Sequence, residues 1–222
     1  MLKAVIFDVD GTLIDTNDLH AAAWVEAFRH FGIEVPYEDV RRQMGKGGDQ
    51  LMPVFLDPAV LERDGEKIET FRTDLFKREY LSKARAFPQV RALFERVKSA
   101  GQTSVLATSG KREEVDRHMT TAEITDLVDE STTSEDAESS KPKPDIFQSA
   151  LKRIAPITAD EAIVVGDTPY DAEAAGKAGL RTIGLLCGGF SEEDLRGAGC
   201  IAIYADPAAL LRDYDRSPLA AD

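Results

Sequence analysis

Cysteine is scarce in this chain: Cys187 and Cys200 are the only two in 222 residues. That excludes the disulfide framework of a small secreted scaffold and leaves two buried thiols as the expectation. Long hydrophobic runs are also missing. No apolar stretch approaches the length of a bilayer span, and the first one is followed directly by acids. Neither a transmembrane helix nor a signal peptide is therefore expected, and a cytoplasmic location is. Positive charge is short as well, with 27 Lys and Arg against 40 Asp and Glu, a formal net charge of -13. Nucleic acid is not an expected partner, because phosphate-backbone binding needs clustered Lys and Arg. An anionic ligand would have to be drawn in by local cations or a metal, against the field of the whole chain.

What is present is material for a core, 43% hydrophobic residues, and one stretch that organises the rest. Residues 4–16 read Ala-Val-Ile-Phe-Asp-Val-Asp-Gly-Thr-Leu-Ile-Asp-Thr. The unbroken apolar run Ala4 to Phe7 is the pattern of a strand buried on both faces, as in a parallel sheet. Asp8 and Asp10 follow two apart, which puts both side chains on one face at the carboxyl edge, where open α/β sheets bind ligands. Adjacent carboxylates repel unless a cation lies between them, and hard divalent ions take oxygen ligands. Gly11 allows the turn that follows, and Thr12 can hydrogen-bond across it. On these residues alone, a solvated acidic turn after a buried strand remains an open alternative.

From Asn17 the pattern turns helical. Ala21, Trp24, Val25, Phe28 and Phe31 make one stripe, closed by Gly32. Pro36 opens a second helix, ending in the flexible loop Met44-Gly45-Lys46-Gly47-Gly48. Further helices are predicted over 49–56 and 60–81. Strands are then predicted at 103–107, weakly at 126–129, and at 162–165, 181–186 and 201–204, separated by helices over 89–100, 112–120, 144–154 and 169–178. Ser131 to Ser140 reads as a loop, and the residues from Ser217 as a frayed tail. The alternation predicts a doubly wound, Rossmann-like parallel sheet, with residues 1–15 and 86–222 as the core and 16–85 as an inserted all-helical domain.

Three more segments fall at strand tips or beside them. Thr108, with the amides of Ser109 and Gly110 entering a helix, can bind an anion, though Thr-Ser-Gly is equally an ordinary turn and cap. Lys141-Pro142-Lys143-Pro144-Asp145 is stiffened by two prolines, so a lysine on it can be aimed; a basic linker is the alternative. Gly166-Asp167 ends the strand at 162–165, with Asp171 one helical turn later.

Taken in order, Asp8-x-Asp10-Gly11-Thr12, Thr108, Lys141-Pro-x-Pro-Asp-x-Phe147 and Gly166-Asp167-x-x-x-Asp171 resemble the four motifs of the haloacid dehalogenase-like hydrolase superfamily. The helical insert between the first and second motifs resembles the cap of its phosphoglycolate phosphatase and β-phosphoglucomutase branch. The resemblance implies an enzyme, a magnesium-dependent phosphatase acting on a small phosphorylated metabolite through an aspartyl-phosphate, as a monomer or weak homodimer. It implies Asp8 as nucleophile and Asp10 as acid and base. Magnesium would be held by Asp8, the backbone carbonyl of Asp10 and Asp167. Thr108, Ser109 and Lys141 would bind phosphate, with Gly11, Thr12 and Asp171 in support. In the cap it points to His20 and to the loop Gly45, Lys46 and Gly47, with Lys46 expected to meet the part of the substrate that is not transferred. His20 and Trp24 fit a His-x-x-x-Trp arrangement also found in β-phosphoglucomutase, which makes a sugar phosphomutase the alternative. The mutase's cap-loop arginine is here Gly48, and an Arg-to-Lys exchange for Lys46 would lose the bidentate fork. A silent binding or regulatory module is expected to lack a nucleophile or metal ligand, and none is missing.

Overall fold

Alternate residues of the first strand face opposite ways, and both directions are apolar. In the computed structural model, which describes residues 2–220, that strand lies at the centre of a six-stranded sheet. The strands in chain order are β1 (Ala4–Phe7), the short β2 (Ile14–Asp15) and β3 (Arg85–Ala86), then β4 (Thr103–Ala107), β5 (Glu130–Thr132), β6 (Ala162–Gly166), β7 (Arg181–Leu185) and β8 (Cys200–Tyr204). The sheet runs β5-β4-β1-β6-β7-β8 with every neighbouring pair parallel. The order reverses direction at β1, so the crevice beyond its carboxyl end lies between β4 and β6.

The helices are α1 (Asn17–His30), α2 (Tyr37–Arg41), α3 (Gly48–Phe55), α4 (Pro58–Leu75), α5 (Val90–Ser99), α6 (Arg112–Thr121), α7 (Asp145–Arg153), α8 (Pro169–Lys177), α9 (Glu192–Gly197) and α10 (Pro207–Arg212). Val5 and Phe7 join Leu93, Phe94 and Val97 of α5 and Leu210 of α10 on one face. Ala4 and Ile6 join Ile146, Phe147 and Ala150 of α7 and Ala174 and Ala175 of α8 on the other. A strand buried on both faces does not alternate polar with apolar, which is why β1 and β6 read as solid apolar runs and β4 closes on Val105-Leu106-Ala107.

Helices α1 to α4 make their own core from Ala21, Trp24, Phe28, Val40, Leu51 and Ile68. The chain passes between this helical layer and the sheet at one antiparallel ribbon. There Ile14 pairs with Ala86 and Asp15 with Arg85, and the Phe87 amide donates to Leu13 at 2.9 Å.

Three expectations need correction. The fifth strand lies at Glu130–Thr132, not at 126–129. Leu127 and Val128 pack against the core from a turn instead, and the strand itself is polar because it is a sheet edge whose Thr132 hydroxyl bonds the Leu106 carbonyl at 3.2 Å. The helix expected over 60–81 ends at Leu75 and continues as a π-helical turn, Phe76–Tyr80, and a 3-10 turn, Leu81–Lys83. The tail is not frayed through its described length: Leu219 is 0% exposed, and its carbonyl accepts from Gln102 Nε2 at 2.8 Å. Ala221 and Asp222 lie outside the described residues.

Leu219→Ala should therefore cost about 2–5 kcal/mol of stability, the range for emptying a packed leucine site. Urea unfolding measures it, and a cost below about 0.5 kcal/mol, the size of an ordinary surface change, would return the tail to the surface.

Candidate active site

Asp8 stands at the tip of β1 and is 4% exposed. Its amide donates to the Val165 carbonyl of β6 at 2.9 Å, which continues the sheet ladder one step and fixes the backbone. Lys141 Nζ reaches Asp8 Oδ1 at 2.5 Å, the Ala107 carbonyl at the end of β4 at 3.0 Å and Asp171 Oδ1 at 2.7 Å. One buried ammonium thus joins the tips of β1 and β4 to the start of α8. Asp171 Oδ2 also accepts from the Thr168 amide at 3.0 Å and hydroxyl at 2.7 Å in the capping box of α8, which aims its other oxygen at the lysine.

Asp167, at the tip of β6, is oriented by two donors. Thr12 Oγ1 donates to its Oδ1 at 2.7 Å, and Asn17 Nδ2 donates to its Oδ2 at 2.8 Å. Thr12 also approaches Asp8 Oδ2 at 3.3 Å. Gly11 is required here: its φ is +81°, and a Cβ would collide with Asn17 and Asp167. Gly188, in a Gly-Gly turn that the sequence marks without a chemical role, presses on Asp167 in the same way, and its carbonyl accepts from Asn17 at 3.1 Å.

Burial pushes Asp8 up to about 7; Lys141 opposes this, while the Asp171 and Asp10 charges add to it. Burial, followed by the charges of Asp171 and Asp8, holds Asp167 well above the usual carboxylate range. Lys141 is held above its ordinary value, because Asp171 and Asp8 outweigh its burial. The carboxylates of Asp8, Asp167 and Asp171 offer oxygens within 4.8 Å of one another. Three buried acids against one ammonium leave negative charge uncompensated, and an all-oxygen donor set suits a hard divalent cation.

Asp10 has different surroundings. Its Oδ1 accepts from Thr16 Oγ1 at 2.7 Å and from His20 Nε2 at 3.0 Å, and His118 Nε2 lies 3.5 Å away. Arg72 Nη2 donates to His20 Nδ1 at 2.6 Å. Arginine has no acceptor, so the imidazole carries its proton on Nε2 and donates to Asp10. Burial alone would raise Asp10, but His20, His118 and Thr16 hold it well below the ordinary range. Burial pushes His118 down toward the neutral imidazole, so at neutral pH the hydrogen bonds from His20 and Thr16 carry this effect.

A cavity of about 250 Å³ opens above these groups, lined among others by Asp8, Asp10, Thr108, Ser109, His20 and Gly45 to Asp49. Thr108 Oγ1 accepts from the Gly110 amide at 3.0 Å, and Ser109 Oγ is buried with no partner. The loop of Gly45, Lys46 and Gly47 reaches the sheet side. A Cβ on Gly45 would meet the Thr168 side chain at 2.6 Å, and one on Gly47 would strike Ser140. The charge of Lys46 is engaged: Nζ donates to Gln43 Oε1 at 2.6 Å and lies 4.6 Å from the Tyr170 ring centroid. Trp24 is packed in the helical core and shows an edge to the cavity.

Sequence reasoning found the strand-tip acids, noticed the Gly188-Gly189 turn without a role for it, and missed Thr16, Asn17, Arg72, Glu114 and His118. Asn17 and Thr16, directly after the first motif, carried a weak signal as a possible helix cap; the others carried none.

A family model described as haloacid dehalogenase-like hydrolase matches residues 5–185. The chain belongs to that family. Pyrophosphatase PpaX of Bacillus velezensis is 30% identical over 205 residues, covering 91% of this chain and 89% of its own. A phosphorylated carbohydrates phosphatase of Thermotoga maritima is 29% identical, covering 82% of this chain and 84% of its own. A crystal structure of a hydrolase from Pseudomonas syringae superposes with a TM-score of 0.88 at 29% identity, covering 96% and 98% of the two chains. Among the described residues, no helix is long and apolar enough to cross a membrane.

The raised Asp8 gives a pH signature without metal. The folded protein binds this proton from the ordinary carboxyl value of 3.8 up to about 7 and the unfolded chain does not, so stability falls as pH rises through that window. In chelated protein, Asp8→Asn should raise Tm by a few °C at pH 8 and by less at pH 5. Equal shifts at both pH values would remove the proton from Asp8.

Proposed function

We propose that the protein is a magnesium-dependent phosphatase that hydrolyses a small phosphate monoester through a phosphoaspartate on Asp8. The observation that carries this reading is the Asp8 carboxylate, buried, neutralised on one oxygen by Lys141 and lining a cavity shared with Asp10, Thr108 and Ser109. A nucleophile so placed can attack phosphorus in line, splitting one hard hydrolysis into two easier steps.

The uncompensated charge of the acid cluster supports a cation site formed by Asp8, Asp167 and the backbone carbonyl of Asp10. When bound, magnesium supplies positive charge against the phosphoryl oxygens. Lys141, the Thr108 hydroxyl, Ser109 Oγ and the amides entering α6 serve the same oxygens from the other side. Asp10 gives a proton to the leaving oxygen and later removes one from water. The lowered pKa keeps Asp10 ionised before substrate binds, and the negative charge of a bound phosphoryl group raises it toward the range in which a carboxyl can give and take a proton. Residues 16–85 act as a cap that excludes water from the first step, with 1–15 and 86–222 as the catalytic core and hinges at the β2–β3 ribbon.

A mutase reading has the His20 contact with Asp10 in its favour. Against it, the Glu69 carboxylate lies 2.9 to 3.2 Å from where a Cβ on Gly48 would sit. A second phosphate would meet an acid at the position where it needs a cation.

Asp8→Asn should keep the fold and lower turnover of an aryl phosphate by at least a thousandfold, about 4 kcal/mol in the barrier. Residual activity within tenfold of wild type would dismiss Asp8 as nucleophile. Activity should vanish on chelation, return with magnesium and not with calcium, whose looser and higher coordination misaligns the carboxylate. Full turnover in chelator would remove the metal from the mechanism.

A further inference from the structure

Polar atoms buried without a partner are few in folded proteins, and each calls for an explanation. Among the described residues, Glu114 Oε1 and Arg72 Nε are two such atoms, and both residues line the cavity above Asp8. Glu114 has no part in the chemistry so far described, and Arg72 has entered it only by orienting His20 through Nη2. Glu114 comes from the first turn of α6 and is 3% exposed. Arg72 comes from the last turn of α4, across the cleft. No ion pair joins them, so each keeps hydrogen-bonding capacity for something between.

Their placement relative to Asp10 gives the direction. A single point, the site of a Cβ on Gly110, lies 3.3 Å from Thr108 Oγ1, 3.6 Å from Asp10 Oδ2 and 3.9 Å from Glu114 Oε2. Asp10 Oδ1 is taken by Thr16 and His20, so Oδ2 is the oxygen free to serve a leaving group. Glu114 sits directly beyond it. Arg72 is fixed in place by His20 and by the Trp24 and Phe76 rings, 5.2 and 5.4 Å from its guanidinium carbon.

We propose that Glu114 and Arg72 form the subsite for the alcohol half of the substrate, and that this half is uncharged and carries a hydroxyl close to the ester carbon, as in a polyol or sugar phosphate. The proposal rests on the phosphatase reading and specifies its substrate class. Glu114 accepts a hydrogen bond from the hydroxyl, and Arg72 Nε donates one to the same or the neighbouring oxygen. An anionic leaving group is disfavoured: Glu114 stands beside Asp10, and Asp49, Glu69 and Glu138 add further carboxylates to the wall. The cations of the wall are fewer, Lys46, Arg72 and Lys111, and of these Lys46 is held by Gln43 and Tyr170 and Arg72 by His20. A buried acceptor built for a hydroxyl also penalises any ligand that leaves it unpaired.

The test is steady-state kinetics with magnesium on glycerol phosphate, hexose phosphates, pyrophosphate, 2-phosphoglycolate and acetyl phosphate, for wild type and Glu114→Gln. Wild type should show kcat/KM at least tenfold higher for the best polyol or sugar ester than for pyrophosphate and phosphoglycolate. Glu114→Gln should lower that value roughly tenfold, mainly through KM, and by at least fivefold more than it lowers acetyl phosphate turnover. Its Tm should hold or rise, since an unpaired buried carboxylate is replaced by a neutral amide. A wild-type preference for pyrophosphate or phosphoglycolate overturns the subsite while leaving the phosphatase reading intact, and it decides the matter even if the variant does not fold. Equal losses on all substrates with a lowered Tm overturn it too, as a structural role for Glu114. No turnover of any ester, acetyl phosphate included, would take down the phosphatase reading itself.

Discussion

The Lys141 ammonium between Asp8 and Asp171 is the contact on which the rest of the site depends. Four acids converge where β1 and β6 end and α8 begins, and without a buried cation their repulsion would exceed what the surrounding packing could hold. The lysine answers only two of them, on a segment stiffened by Pro142 and Pro144. The others are managed separately. Asp167 is held by Thr12 and Asn17, and Asp10 by Thr16 and His20. Glycines at 11 and 188 let backbone come close enough to make this arrangement.

Two carboxylates two residues apart on one chain thereby acquire opposite character. Asp8 is raised by burial and by its acid neighbours, whereas Asp10, more exposed than Asp8, is lowered by imidazole and hydroxyl donors. Pairs of titratable groups pushed apart in this way mark division of labour in an active site. Here the division follows the sheet. Asp8 points into the acid cluster between β1 and β6, while Asp10, in the turn after the strand, reaches the helical layer and α6.

Much of this was legible in the sequence, for a physical reason. Strands buried on both faces carry few charged residues, so β1 and β6 announce themselves as continuous apolar runs and β4 and β7 by their apolar second halves, and their polar termini are then conspicuous. Asp8, Thr108 and Asp167 were readable on that ground. Edge strand β5 was misplaced because Glu130, Ser131 and Thr132 pair through backbone with no apolar signature, while Leu127 and Val128 beside them pack from a turn. The tail was misread because Leu219 is held by residues far along the chain, by packing in the sheet-side core and by Gln102 at its carbonyl. Arg72, Glu114 and His118 were invisible for the same reason: each lies on a helix whose periodicity says only that one face is buried, not what that face meets.

That difference separates the two halves of the cavity. The half that holds the reacting group is built from the ends of adjacent strands, whose positions are fixed by backbone hydrogen bonds and therefore by local sequence. The half that would hold the alcohol is built from helices docked across a cleft, α1 and α4 on one side and α6 on the other. Its chemistry depends on tertiary packing, which no local pattern encodes. Asp10 belongs to both halves. Its backbone continues the catalytic strand, but its Oδ1 draws donors from Thr16 and His20 at the start of the helical segment and has His118 of α6 beside it. The charge state of Asp10 is therefore set by where the helical layer sits against the sheet, and the same Arg72 that orients His20 also lines the cavity. On the proposed reading, proton transfer and recognition of the leaving group would be joined through one guanidinium, and a change of side chain at 72 would act on both.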